Sequence, residues 1–138
     1  VDREQVTLNG GPVGQRISPA HQYQQIDLAS RIESATPHSL VTLLYTELAA
    51  ALAIMRRAAA AGDTARRRDQ HERASSILHT LEASLDRAHG GDLADTLAGI
   101  YRQMRRRLLA GRAGDLAAID EVVAGVESLA GAWARIAA

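Results

Sequence analysis

The stretch Thr36 to Met55, TPHSLVTLLYTELAAALAIM, constrains the chain most, because it holds more apolar surface than one face of a helix can carry. At about 100° per residue, Leu40, Leu44, Leu48, Ala51 and Met55 form one stripe. Leu43 and Ile54 flank it on one side, Val41, Tyr45 and Leu52 on the other. The apolar arc is about 200° wide, whereas a core-facing amphipathic helix needs only somewhat more than about 100°. Contiguous apolar surface left over on a soluble helix marks a partner site. This helix is therefore expected to be both the centre of a core and one wall of a binding groove.

The rest of the chain supplies the partners of that helix. Residues 1–17 contain the turn-rich NGGPVG of Asn9 to Gly14 and are expected to be a flexible arm. Ser18 with Pro19 is a helix-start pair, and Tyr23, Ile26, Ala29 and Ile32 then repeat at helical spacing. A short helix should run to about Ala35, where Thr36 and Pro37 repeat the start signal. Gly62 and Asp63 end the long helix and cap the next, expected over Thr64 to Ala88 with the stripe Ala74, Ile77, Leu78, Leu81, Leu85 and Ala88. His89, Gly90 and Gly91 break the chain. Asp92 should cap a helix that buries Leu93, Leu97, Ile100, Met104 and Leu108, with Tyr101 at its edge. After Gly111 and Gly114, Asp115 caps a last helix carrying Leu116, Ile119, Val123, Val126, Trp133 and Ile136. Connections this short favour antiparallel neighbours. The fold expected is all-α: an antiparallel up-down four-helix bundle with a short additional N-terminal helix, residues 18–138 forming one domain. Trp133 is expected inside it, against the long helix and the one after Gly91.

Composition excludes several chemistries. The 138 residues include no cysteine, which removes disulfides, thiolate metal sites and cysteine nucleophiles, and fits a reducing compartment. All 16 basic side chains are arginine, so there is no Schiff-base or Walker-type lysine. With 16 acidic residues the formal charge is zero, and nothing global draws the chain to nucleic acid or anionic lipid. No apolar run approaches the roughly 20 residues that span a bilayer and the first residues lack the shape of a signal peptide, so no membrane insertion is expected and the cytosol is the expected location.

Motif tests point the same way. His71 and His79 lie eight residues apart, about 12 Å along a helix, and cannot share one metal. Asp86 and His89 have half the spacing of a di-metal motif but lack the second pair. The triplets Arg66 to Arg68 and Arg105 to Arg107 fan over about 200° of helix rather than forming the one-sided stripe that tracks a phosphate backbone. Such arginines lay their stems on apolar neighbours and hold their heads on water or carboxylates. His79 in LHTLEAS resembles the phosphoacceptor of histidine phosphotransfer domains, but Glu82 and Ala83 stand where that motif has lysine and glycine. A carboxylate there repels a phosphate. No catalytic set, metal or cofactor is expected.

The order SATPHSLVTLLY, AAAAGD, SLDRAHGGDLADTLAGIYRQMRRRL, AIDEVV, AGAWARI, over Tyr23 to Ile136, resembles the FliS family of flagellar secretion chaperones. Thr36 with Pro37 before LLY, Gly90 with Gly91 before Leu97 to Tyr101, the MRRRL block and Trp133 carry the resemblance. The chain departs from the family pattern at Thr46 and Glu47, where Asp-Gly is usual, and at Gln103, where a tyrosine is. The resemblance implies a non-enzymatic cytosolic chaperone that binds the disordered C-terminal segment of flagellin and prevents its premature polymerisation. It also implies delivery to the export gate protein FlhA. Flank positions make Leu43, Tyr45, Ile54, Tyr101 and Leu129 the candidate flagellin-binding groove. Ile17 and Tyr23 are the candidate gate-docking residues, Tyr23 by resemblance to the family's N-terminal tyrosine. The alternative is a bundle adaptor for another secretion client or regulator.

Overall fold

The computed structural model describes residues 36–137, without the side chains of 87–89 and 137. The arm, the helix expected over residues 18–35, and Ile17 and Tyr23 lie outside the described residues. Four helices and no strand make up what is described: α1 (Pro37–Ala61), α2 (Thr64–Ala83), α3 (Arg87–Arg112) and α4 (Leu116–Ala137).

The punctuation follows the expected physics. Gly62 takes φ 73°, a left-handed conformation that a side chain would strain, and so reverses the chain after α1. The Asp63 carboxylate then accepts the backbone N–H of Arg66 at 3.1 Å and caps α2. Gly114 (φ 106°) and Asp115 repeat the device before α4, the carboxylate accepting from Ala118 N–H at 3.1 Å. Two boundaries differ from expectation. α2 stops at Ala83 instead of Ala88, because the Ser84 hydroxyl takes the Leu81 carbonyl at 2.7 Å and the next turn tightens to a Leu85 N–H to Glu82 carbonyl bond. α3 begins at Arg87 instead of after Asp92, and the expected glycine break appears within it as a kink at Gly91 (φ 52°, ψ −132°).

Each helix packs on two others: α1 on α2 and α4, α3 on α2 and α4. Residue pairs give the directions. His38 meets Trp133 while Arg56 meets Asp120, so α1 and α4 run oppositely. Arg67 meets Arg112 while Glu82 meets Arg102, so α2 and α3 do as well. α1 and α3 face each other diagonally and run the same way, Tyr45 reaching Tyr101 and Met55 lying near Gly111. Leu48, Leu52 and Met55 of α1 are wholly buried at the centre, with Leu78, Leu81, Leu108 and Ile119 from the other helices. Fully burying such a side chain contributes about 1.5–3 kcal/mol.

Several side chains depart from the expected stripes. α3 turns Ala94, Ala98 and Tyr101 inward and leaves Leu93 66% exposed. Tyr101, expected at an edge, is 2% exposed. Ile136 is exposed, and Trp133 is half-buried at the rim rather than inside the core. Its ring stacks on His38 with centroids 4.5 Å apart, and its indole N–H donates to the His38 carbonyl at 3.2 Å. On α2 the buried stripe extends back through two polar residues, Arg67 and His71. The Arg67 Nε donates to the Arg112 carbonyl at 2.8 Å, which satisfies a C-terminal carbonyl of α3. α1, against expectation, is long and apolar enough by length and composition to cross a membrane. Its alanines raise the average, and eight of its residues are buried in the core.

Two glycines admit close helix approach. A Cβ on Gly111 would meet Ile119 Cγ1 at 2.7 Å and Met55 Cε at 3.3 Å, whereas one on Gly125 would meet only the flexible end of Met104. Gly111→Val is therefore expected to destabilise the fold by about 1–3 kcal/mol. Gly125→Ala should be neutral or stabilising, because alanine is the better helix former by about 1 kcal/mol and the Met104 methyl can move. Urea unfolding of both variants checks this.

Candidate functional site

The candidate groove residues fall into two groups. Tyr45 and Tyr101 meet in the interior, their hydroxyls 2.7 Å apart. Leu43 is also covered, at 7% exposure. Ile54 and Leu129 are half-exposed. Ile54 lies nine residues along α1 from Tyr45, about 14 Å at the helical rise. It lines an open depression of about 320 Å³ with Arg57, Ala58, Ala61, Asp63 and Arg66 at the α1–α2 turn. Leu129 packs on the edge of the core from α4. The structure thus joins the two tyrosines and sets Ile54 well away from them.

Burial explains the tyrosines' chemistry. Desolvation raises the Tyr45 hydroxyl above its ordinary pKa, and the hydrogen bond from Tyr101 only partly opposes this. Tyr101 is raised further, by burial and then by its bond to Tyr45 and that neighbour's charge. Both stay neutral across any physiological pH, so the pair is a fixed polar contact between α1 and α3 rather than a proton-transfer site.

The surface around the core is laced with ion pairs. Glu47 of α1 accepts from Arg73 of α2 at 2.7 Å, and Arg56 of α1 grips Asp120 of α4 at 2.9 Å. Arg107 of α3 binds Glu121 of α4 at 2.6 Å. Glu82 of α2 takes two guanidiniums of α3, Arg105 at 2.8 Å and Arg102 at 3.0 Å. The Arg105 hydrogen bond, with help from Arg102, holds the Glu82 carboxyl below its ordinary pKa. Each packed seam carries at least one such contact, and of the two arginine triplets Arg105 and Arg107 hold carboxylates, whereas Arg67 donates to a backbone carbonyl and Arg106 to the Gln103 amide. Thr46 is exposed, its hydroxyl donating back to the Thr42 carbonyl at 3.1 Å. Gln103 is exposed and accepts from Arg106 at 2.8 Å.

Among the described residues no three His, Cys, Asp or Glu side chains gather into a metal-binding group. His79 is exposed, whereas His71 is buried, with Nδ1 3.8 Å from Glu72 and Nε2 3.5 Å from the Ser75 hydroxyl. The described surface carries open depressions lined by apolar and charged side chains together.

Residues 19–138 match the family of flagellar protein FliS. The chain belongs to the FliS family. It is 34% identical over 116 residues to the flagellar secretion chaperone FliS of Salmonella typhimurium, covering 83% of this chain and 86% of that protein. The flagellar secretion chaperone FliSB of Pseudomonas aeruginosa is 31% identical over 113 residues, 81% and 90% of the two chains. FliS of Escherichia coli is 31% identical over 116 residues, 80% and 83%. The matched region contains every described helix, α1 to α4. Sequence reasoning missed the Tyr45–Tyr101 contact and the burial of Arg67 and His71. The signal available was spacing: Arg67, His71, Ala74, Leu78 and Leu81 recur at three and four residues.

Two measurements probe this architecture. Tyr45→Phe leaves the Tyr101 hydroxyl buried without its partner, which should destabilise by about 1–3 kcal/mol, while the Tyr45→Phe, Tyr101→Phe double variant should lose less than the sum of the singles. A denaturant-based double-mutant cycle reads the coupling. Burial, opposed by Glu72, lowers the pKa of His71. In the unfolded chain a histidine titrates near about 6.5. Below that pH the unfolded form takes up a proton that the folded form refuses. Stability therefore falls as pH drops through that value and levels off below the folded pKa. His71→Asn should flatten this part of the stability profile, measured by urea midpoints at successive pH values.

Proposed function

We propose that this chain is a non-enzymatic cytoplasmic export chaperone for flagellin, binding its disordered C-terminal segment, preventing premature polymerisation and delivering it to the export gate protein FlhA. Family membership carries the reading, since the relatives are named flagellar secretion chaperones. The all-helical architecture supports it, because amphipathic client helices dock into grooves between helices. In this proposal α1 to α4 form an antiparallel up-down four-helix bundle. A short additional N-terminal helix completes a domain over residues 18–138, and residues 1–17 form a flexible arm.

Ile54 and Leu129 would touch the client directly, with Leu43, Tyr45 and Tyr101 forming the wall beneath them. Ordering a disordered client consumes part of the interaction energy, which limits affinity per unit of buried area and favours release at the gate. Ile17 and Tyr23 would meet FlhA, and the arm before them would cover the empty groove, held more weakly than the client that displaces it.

Calorimetric titration with a flagellin C-terminal peptide tests the groove. Ile54→Asp and Leu129→Asp should weaken binding while lowering the melting temperature less than Leu44→Asp or Leu81→Asp. Equal loss of stability at all four positions would show that the half-exposed residues serve only the core. Deleting residues 1–23 should leave peptide binding intact or tighter and impair capture of the complex by the cytosolic domain of FlhA. Loss of peptide affinity with unchanged gate binding would defeat that assignment.

A further inference from the structure

We propose that the outer face of the α2–α3 seam is a second docking site, one that takes an acidic amphipathic helix of a partner protein. The inference goes beyond the chaperone reading and does not rest on it. Its first support is an imbalance of charge. The other three seams set one guanidinium against one carboxylate: Arg73 on Glu47, Arg56 on Asp120, Arg107 on Glu121. Here, among the described residues, the one Glu82 carboxylate faces both Arg102 and Arg105, and Arg106 beside them donates to the neutral amide of Gln103. In these contacts three guanidiniums of α3 gather around a single carboxylate, with Glu72 the next acidic residue back along α2.

Shape and spacing are the second support. Arg102, Arg105, Arg106 and Leu109 follow at three, four and seven residues, and so share one side of α3. Leu109 is 61% exposed, with no core role to explain it. Two open concavities, of about 280 and 520 Å³, share His79 and Arg105 and run along the seam, with Leu109 in one and Leu85 in the other. The stripe is about 10 Å long, two turns of a docked helix. Such a helix would set its apolar residues on Leu109 and Leu85 and its carboxylates on the guanidiniums. Glu82 shows how these arginines hold a carboxylate, and planar guanidiniums suit that pairing better than lysine would.

The test uses the full chain and a fluorescein-labelled peptide of two LEELLEE heptads, followed by anisotropy. Saturable binding is expected, weakening as salt rises and falling on the order of tenfold in Arg106→Glu, Leu109→Ser. Both side chains are exposed, so thermal unfolding of that variant should match the parent. A peptide with glutamine for every glutamate should bind weakly. Absence of saturable binding, or equal binding by the variant, would overturn the proposal. So would tighter binding of a polyuridine RNA at these residues, or a parallel loss of flagellin-peptide affinity in the variant, which would make this face part of the client groove. A parent chain that binds the acidic probe here yet ignores the flagellin peptide would support this site and defeat the chaperone reading.

Discussion

Leu48, Leu52 and Met55 are completely withdrawn from water, and the positions of the other three helices follow from how that is achieved. Their helix carries an apolar arc too wide for a single neighbour, so it is flanked by α2 and α4 and faced diagonally by α3. Close approach on the diagonal depends on Gly111, where any Cβ would collide with Ile119 and crowd Met55. Small residues on the inner side of α3, Ala94 and Ala98, serve the same purpose nearer its start. The wide arc and the small residues opposite it are two halves of one packing solution.

Polar groups then refine a core built by apolar burial. The Tyr45–Tyr101 bond and the Arg67 contact with the Arg112 carbonyl each tie elements remote in sequence, 56 and 45 residues apart. Buried polar groups of this kind disfavour slipped packings, because any shift leaves a donor or acceptor without a partner. The exposed ion pairs across the seams add little stability, since water and salt screen them. They do label each seam, and on the α2–α3 seam two guanidiniums share one carboxylate.

The described part of this FliS-family chain combines a closed core with half-exposed apolar residues such as Ile54, Leu129 and Trp133 at its margins. Trp133 shows how a margin is held. It stacks on His38 and donates to its carbonyl, which anchors the end of α4 to the beginning of α1. Neither contact withdraws the ring fully from the surface.

Local chemistry written in consecutive residues was legible without a structure. Gly62 with Asp63 and Gly114 with Asp115 announce turn and cap because φ sign and side-chain reach are properties of a few neighbouring residues. The central stripe of α1 and the family resemblance were equally readable, and the family match agrees with the latter. Which flank of a stripe is covered was not. Spacing puts Leu93 on the buried side of α3 and Tyr101 at its edge, yet the first is exposed and the second buried. Helix rotation is settled by what fits opposite: the tyrosine finds Tyr45 across the diagonal, and Ala94 and Ala98 take the inner positions. Arg67 and His71 read as polar surface until the end of α3 brings the Arg112 carbonyl over Arg67. The early end of α2 turns on the Ser84 hydroxyl choosing the Leu81 carbonyl. Periodicity names the residues that can be buried, but burial depends on surfaces that distant parts of the chain bring together.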